Sequence, residues 1–162
     1  MSLLAILRDP LSIEALAAAV SAVARDTADG CGAIATFIGV VRGQHLGRRV
    51  QALEYEAYEP LAIHAFEQIQ RETAAEWPGV VVGMHHRVGR LAVGETSVLV
   101  AAAAPHRDEA CRACRYAIER VKQIAPVWKR EFFDEGDMWL EGALADPQDD
   151  GARQAARARA CA

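Results

Sequence analysis

Hydrophobic periodicity switches back and forth along this chain between the two-residue repeat of a strand and the 3.6-residue repeat of a helix. That switching limits the possible folds more than any other feature. Leu3 to Leu7 is a short apolar run that predicts a first strand. Ser12 caps a helix over Ile13 to Arg25, with Leu16, Val20 and Val23 on its apolar face, and Asp29-Gly30 closes it. Gly32 to Arg42 and Val50 to Tyr58 read as strands separated by a loop over Gly43 to Arg49. Pro60 sits in the first turn of a helix that runs to about Trp77, with Leu61, Ala65, Phe66 and Ile69 on one stripe. Val80 to Val88 and Thr96 to Ala104 predict a hairpin joined by a tight connection over Gly89 to Gly94. Pro105-His106 leads into a helix from Arg107 to about Ala125, apolar at Ala110, Ala113, Cys114, Ala117, Ile118, Val121 and Ile124. Pro126 ends it, and Val127 to Phe133 and Met138 to Leu140 predict two short strands around a turn at Asp134.

This order predicts an α+β fold, with helices packed on a mixed or antiparallel sheet and a small β subdomain. The 162 residues suit one domain, placed at residues 1–145, and beyond Asp146 large apolar residues vanish, so 146–162 reads as a loose tail, helical at most in part. A net charge of −4 argues against a general nucleic-acid binder, so any anion site is a local pocket. No uncharged run of 18 apolar residues predicts a membrane span. Arg8, Asp9 and Pro10 interrupt the N-terminal apolar stretch, which argues against a secretory signal. Cysteines at 31, 111, 114 and 161 are too few and uneven for a disulfide scaffold and point to reduced thiols in a cytoplasmic protein. Neither a GxGxxG nor a GxxxxGK[ST] segment is present.

The cations are unevenly chosen: 16 are arginine and 2, Lys122 and Lys129, are lysine. Together with 33 alanines this looks like a GC-rich coding bias, in which arginine fills most sites where any cation serves. Lysine can give and take a proton where arginine cannot, so these two positions are candidates for an amine. Pro105-His106-Arg107 falls where a strand ends and a helix begins, where unpaired backbone N–H groups favour an anion. If the sheet gathers Arg42, His106, Arg107, Lys122 and Lys129, the pocket suits a small, multiply anionic ligand such as a phosphorylated metabolite. Cys111-x-x-Cys114 lies inside a helix with no second pair at zinc spacing, and His85-His86 are strand neighbours facing opposite sides, so neither reads as a metal site.

These blocks resemble a known family. Gly32-Ala33, Phe37 to Arg42 (FIGVVR), Leu53 to Tyr58 (LEYEAY), His86 to Gly89 (HRVG) and Val93-Gly94-Glu95 are its first pieces. His106-Arg107, Lys122, Ala125 to Glu131 (APVWKRE), Gly136 and Trp139 complete the match, which spans roughly residues 1 to 141. Together they resemble the large, catalytic subunit of molybdopterin synthase, the MoaE family.

The resemblance implies an α/β-hammerhead-like fold in a homodimer, with a small ubiquitin-like sulfur carrier at each end to make a heterotetramer. The carrier's C-terminal Gly-Gly thiocarboxylate supplies two sulfurs that convert cyclic pyranopterin monophosphate into molybdopterin. It implies a sulfurtransferase of molybdenum cofactor biosynthesis that needs no cofactor, no metal and no cysteine nucleophile of its own. It places substrate binding at Val40, Val41, Arg42, His106, Arg107, Lys122, Lys129, Arg130 and Glu131, with Lys122 and Lys129 as the catalytic pair. Some members carry an arginine a few residues after the Trp139 position, and Leu140-Glu141-Gly142-Ala143 has none. The alternative from another class is a non-catalytic module that holds a phosphorylated pterin or a ubiquitin-like partner. The two lysines speak against it, because a mere binder accepts arginine at both.

Overall fold

The computed structural model describes residues 2–140 and 145–161. Its first half runs β1 (Leu4–Leu7), α1 (Ile13–Arg25), β2 (Ala33–Val40), β3 (Gln44–His45), β4 (Arg48–Ala57) and α2 (Glu59–Glu76). Then follow β5 (Val81–Arg87), β6 (Gly89–Ala92), β7 (Thr96–Ala104), α3 (Arg107–Ile124), β8 (Val127–Phe133), β9 (Gly136–Leu140) and α4 (Asp150–Ala160).

The main sheet has the order β1-β5-β7-β2 and is mixed: β1 runs parallel to β5, and the other pairs are antiparallel. β7 lies inside it and is covered on both faces, which is why its sequence is a continuous apolar run. Leu99, Ala101 and Ala103 meet Leu16, Val20 and Ala24 of α1. Val98, Val100, Ala102 and Ala104 turn the other way, into a core shared with Phe66 and Ile69 of α2 and Ala113, Ala117 and Ile118 of α3. Four successive alanines in β7 let helices approach closely on both sides.

The second sheet is the small β subdomain. β4 pairs with β8 and with β6, while β9 extends the sheet beyond β8. Val41, Val50, Leu53, Leu91 and Phe133 form its own core.

Four expectations are corrected. Gly43 to Arg49 is a β-hairpin rather than a loop: Gln44 pairs with Arg49 around Leu46 and Gly47, both at positive φ. That is the geometry of a two-residue type I′ turn, hidden in the sequence because leucine takes a place usually held by Asn or Asp. The stretch after Val88 is more than a connection. β5 and β7 do pair, but Gly89 to Ala92 leave for the second sheet as β6. On the helices, Val23 (46% exposed) and Leu61 (53% exposed) face outward, and Ala24 and Ala62 are buried instead. Ala24 continues the Leu16–Val20 row at four-residue spacing, so the smaller residue keeps the inward face.

The fourth concerns the tail. Residues 150–160 form a capped helix packed on α3 rather than a loose segment. Asp149 Oδ1 accepts from the Gly151 and Ala152 amides at 2.8 and 3.2 Å. Ala156 is fully buried, Arg157 pairs with Glu76 at 2.5 Å, and Arg159 pairs with Glu119 at 2.7 Å. A helix held by Ala156, Ala160 and ion pairs offers no stripe of large apolar residues to read. No described helix is long and apolar enough to cross a membrane.

Candidate active site

The two lysines reach one pocket from different elements. Lys122 lies in the last turn of α3, where the helix's unpaired carbonyls favour a cation, and Pro126 turns the chain into β8. Lys129 follows two residues into β8, alternating with Trp128 and Arg130. Arg42 stands just past the end of β2, and Val40, half exposed, is its last residue. The cavity they share has a volume of about 600 Å³. Its interior includes Phe37, Tyr55, His86, Val98, Ile118 and Val121. The result is a cationic rim over an apolar and aromatic interior.

Lys129 does not stand alone. Its Nζ lies 3.2 Å from Glu131 Oε1, on the same face of β8. Glu131 is only 3% exposed, and its other oxygen, Oε2, accepts from His45 Nδ1 at 2.6 Å. The hairpin missed at the sequence level is thus what brings His45 to the carboxylate. Glu131 acts on Lys129 rather than on the cavity itself, which it does not line.

His86 and Tyr55 were not among the predicted site residues. His86 Nδ1 donates to the Arg87 carbonyl at 2.9 Å, and Tyr55 meets the imidazole edge-on with ring centroids 5.1 Å apart. Burial pushes the imidazole down to about 4, so it is neutral at pH 7. Burial also raises the Tyr55 phenol. His86 stands in the HRVG block that carries the family resemblance, but nothing in the sequence places its side chain in the pocket. His85 faces away, with Nε2 donating to the Ser2 carbonyl at 2.9 Å.

The remaining predicted residues lie elsewhere. Val41 is 2% exposed and packs in the core of the second sheet. Arg130 is on the opposite face of β8, paired with Asp137 at 2.5 Å and stacked over Phe132 and Trp139. His106 and Arg107 line a separate surface concavity at the start of α3. Along the helix axis Arg107 and Lys122 are about 22 Å apart at 1.5 Å per residue. One chain therefore does not gather all five cations, which corrects the single-cluster expectation. The Glu141 to Ala143 stretch without arginine lies outside the described residues. Cys111 is exposed and Cys114 buried, where desolvation pushes its thiol up to about 12, so it is an inert thiol.

Residues 6–124 match the family described as MoaE protein. The chain belongs to the MoaE family. The matched span includes Lys122, and Lys129 follows just beyond it. The molybdopterin synthase catalytic subunit of Bacillus subtilis (strain 168) is 48% identical over 113 residues, which is 70% of this chain and 72% of that protein. The crystal structure of molybdopterin synthase from Staphylococcus aureus superposes with a TM-score of 0.79 at 36% identity, covering 86% of this chain and 98% of that one. A complex of subunits 1 and 2 of the molybdopterin-converting factor of Helicobacter pylori 26695 gives a TM-score of 0.69 at 27% identity, covering 86% and 90%. Membership in the MoaE family makes the chain enzymatic and accounts for the mixed α+β architecture with its second sheet.

Proposed function

We propose that this chain is the catalytic subunit of a cytoplasmic molybdopterin synthase. It is a sulfurtransferase that turns cyclic pyranopterin monophosphate into molybdopterin with two sulfurs from a ubiquitin-like carrier's C-terminal thiocarboxylate. The observation that carries the reading is the convergence of Lys122 and Lys129, the two lysines among 18 basic residues, on one pocket with Arg42. Three cations suit a cyclic phosphate, and the same field steers the anionic thiocarboxylate of the carrier. Opening the cyclic phosphate and losing water both require proton transfers, which an amine serves and a guanidinium does not. Sulfur arrives on the carrier, so the absence of a cysteine from the residues lining this pocket is consistent with the chemistry.

The working unit in this reading is a homodimer with a carrier at each end. His106 and Arg107 are too far along α3 to serve the pocket of their own chain, so a second copy supplies them. β2 offers a surface for such contacts: it is an edge strand with Ile34, Ile38 and Val40 all more than 40% exposed. The carrier's Gly-Gly end, with no side chains, brings the thiocarboxylate in beside Lys122 in this reading, and a bulkier final residue on the carrier is expected to abolish turnover. The test is reconstitution: purified chain, thiocarboxylated carrier and cyclic pyranopterin monophosphate, with the dithiolene product followed by mass spectrometry. Two sulfurs gained per pterin support the reading. Binding of both partners without conversion overturns it in favour of a non-catalytic module.

A further inference from the structure

The pocket contains one interior group that belongs to neither its cationic rim nor its apolar lining. His86 follows Met84 in the alternation of β5, so it faces the α3 side of the sheet, as Val98 does from β7. Its Nδ1 lies 2.9 Å from the Arg87 carbonyl. A carbonyl has no hydrogen to give, so Nδ1 carries the proton and Nε2 is a bare lone pair. Nε2 has no hydrogen-bond partner among the described residues, and it is not one of their sealed, unpartnered polar atoms, of which Glu109 Oε2 is the sole case. His86 as a whole is only 6% exposed, and it lines the cavity. The lone pair is therefore available to whatever fills the pocket. The edge-on Tyr55 ring and the Arg87 carbonyl together fix the orientation of the imidazole.

We propose that His86 reads the substrate: its Nε2 accepts a hydrogen bond from an N–H of the bound heterocycle, while Arg42, Lys122 and Lys129 hold the phosphate end. The proposal rests on the function given above, because a pterin presents amino and ring N–H donors along its edge. An acceptor of fixed tautomer discriminates sharply. A ring turned so that its own lone pair meets Nε2 leaves two unpaired acceptors in a dry site. A neutral imidazole also adds no fourth positive charge beside the two lysines and the arginine, and burial keeps it neutral. Nε2 thus selects the heterocycle and its orientation, and the rim selects the anion.

The experiment compares binding of cyclic pyranopterin monophosphate to wild type, His86→Phe and His86→Gln by calorimetry, with inorganic phosphate as a second probe. Phenylalanine keeps the volume and removes the acceptor, and glutamine restores an acceptor oxygen near the Nε2 position. His86→Phe is expected to weaken pterin binding by about 10- to 100-fold and leave phosphate binding unchanged, with partial recovery in His86→Gln. Equal pterin affinity in wild type and His86→Phe overturns the inference and leaves the proposed function standing. A wild type that binds no pterin overturns the proposed function itself. A readout without mutation guards against a variant that fails to fold. Imidazole ¹⁵N spectra of the wild type should show a protonated Nδ1 and a bare Nε2, and the Nε2 signal should move upfield when pterin is added. An unmoved signal under saturating pterin overturns the inference.

Discussion

Lys129 Nζ sits 3.2 Å from Glu131 Oε1, two residues further along the same strand face. The carboxylate is buried, and its second oxygen is engaged by His45 at 2.6 Å, so it does not turn to follow substrate. It holds the ammonium in one place. Glu131→Gln keeps the shape and an acceptor for His45 but removes the charge that orients Lys129. The expected result is a fall of roughly 100-fold in the single-turnover rate, the scale associated with a 1 Å misplacement of a reacting group, with substrate affinity little changed. A variant that turns over at the wild-type rate removes Glu131 from the positioning of Lys129.

Lys122→Arg and Lys129→Arg test whether the pocket needs amines or only charge. Both keep the cation, so substrate still binds. Neither can give up its proton, so the rate is expected to fall by about 10²–10⁴-fold, the usual contribution of a placed proton-transfer group. Single-turnover conversion with saturating thiocarboxylated carrier makes the comparison. If both variants keep more than about half the wild-type rate, the lysines supply electrostatics alone.

The contrast between Lys122 and His106 explains which parts of the site were legible in the sequence. Lys122 lies on α3 and His106 caps its start; the sequence predicts that helix from Arg107 to about Ala125, and it spans Arg107–Ile124. Lys122, at the helix end, and Lys129, past the proline turn, meet because a short connection forces adjacency. His106 opens the same helix, and helix length separates it from the pocket, a distance that follows from counting residues. Val41 and Arg130 were misplaced for a different reason. Strand neighbours alternate faces, so in the FIGVVR and WKRE blocks not every residue can face the same cavity. His45 stayed invisible because a leucine occupies a turn position at φ 50°, which sequence rules reserve for smaller polar residues. The sequence allows helix in part of the tail, but the docking of α4 is not legible there because its anchors include arginines, which a chain so rich in arginine does not mark as special.

The buried His86 predicts an acid-labile component of stability. Its folded-state value of about 4 lies below the ordinary 6.5, so the unfolded chain takes up a proton that the folded chain refuses. The stability this represents is complete above pH 6.5 and is lost as the pH falls from about 6.5 to about 4. Urea unfolding at pH 7 and pH 4.5 should show wild type losing about 2–3 kcal/mol more than His86→Phe over that interval. Equal losses in the two proteins mean that His86 is solvated enough to titrate normally.

Arg120 is the largest fully buried side chain among the described residues, and its guanidinium lies 2.8 Å from both oxygens of Glu72. The Tyr116 hydroxyl donates to the same carboxylate at 2.8 Å, and Gln68 donates at 3.1 Å. Arg120 Nη2 also donates to the Pro147 carbonyl at 3.1 Å, which ties the segment leading to α4 onto the α2–α3 pair. Burial pushes the Glu72 carboxyl up, but these donors outweigh it and hold it below its usual 4.5. Arg120→Leu strands a buried carboxylate, so it is expected to cost about 3–5 kcal/mol in urea unfolding at pH 7. Because Glu72 ionises more readily when folded, the pair contributes above pH 4.5 and fades as the pH falls below that value. The gap between wild type and Arg120→Leu should therefore narrow on acidification below pH 4.5. Replacing both partners, Glu72→Leu with Arg120→Leu, removes the stranded charge and should recover part of the loss, since an apolar pair of similar volume is often no worse than a buried ion pair. The Tyr116 hydroxyl loses its acceptor in that double variant, so recovery stays incomplete. A double variant no more stable than the single one means that the Tyr116 and Pro147 contacts, rather than charge compensation, carry the cluster's contribution.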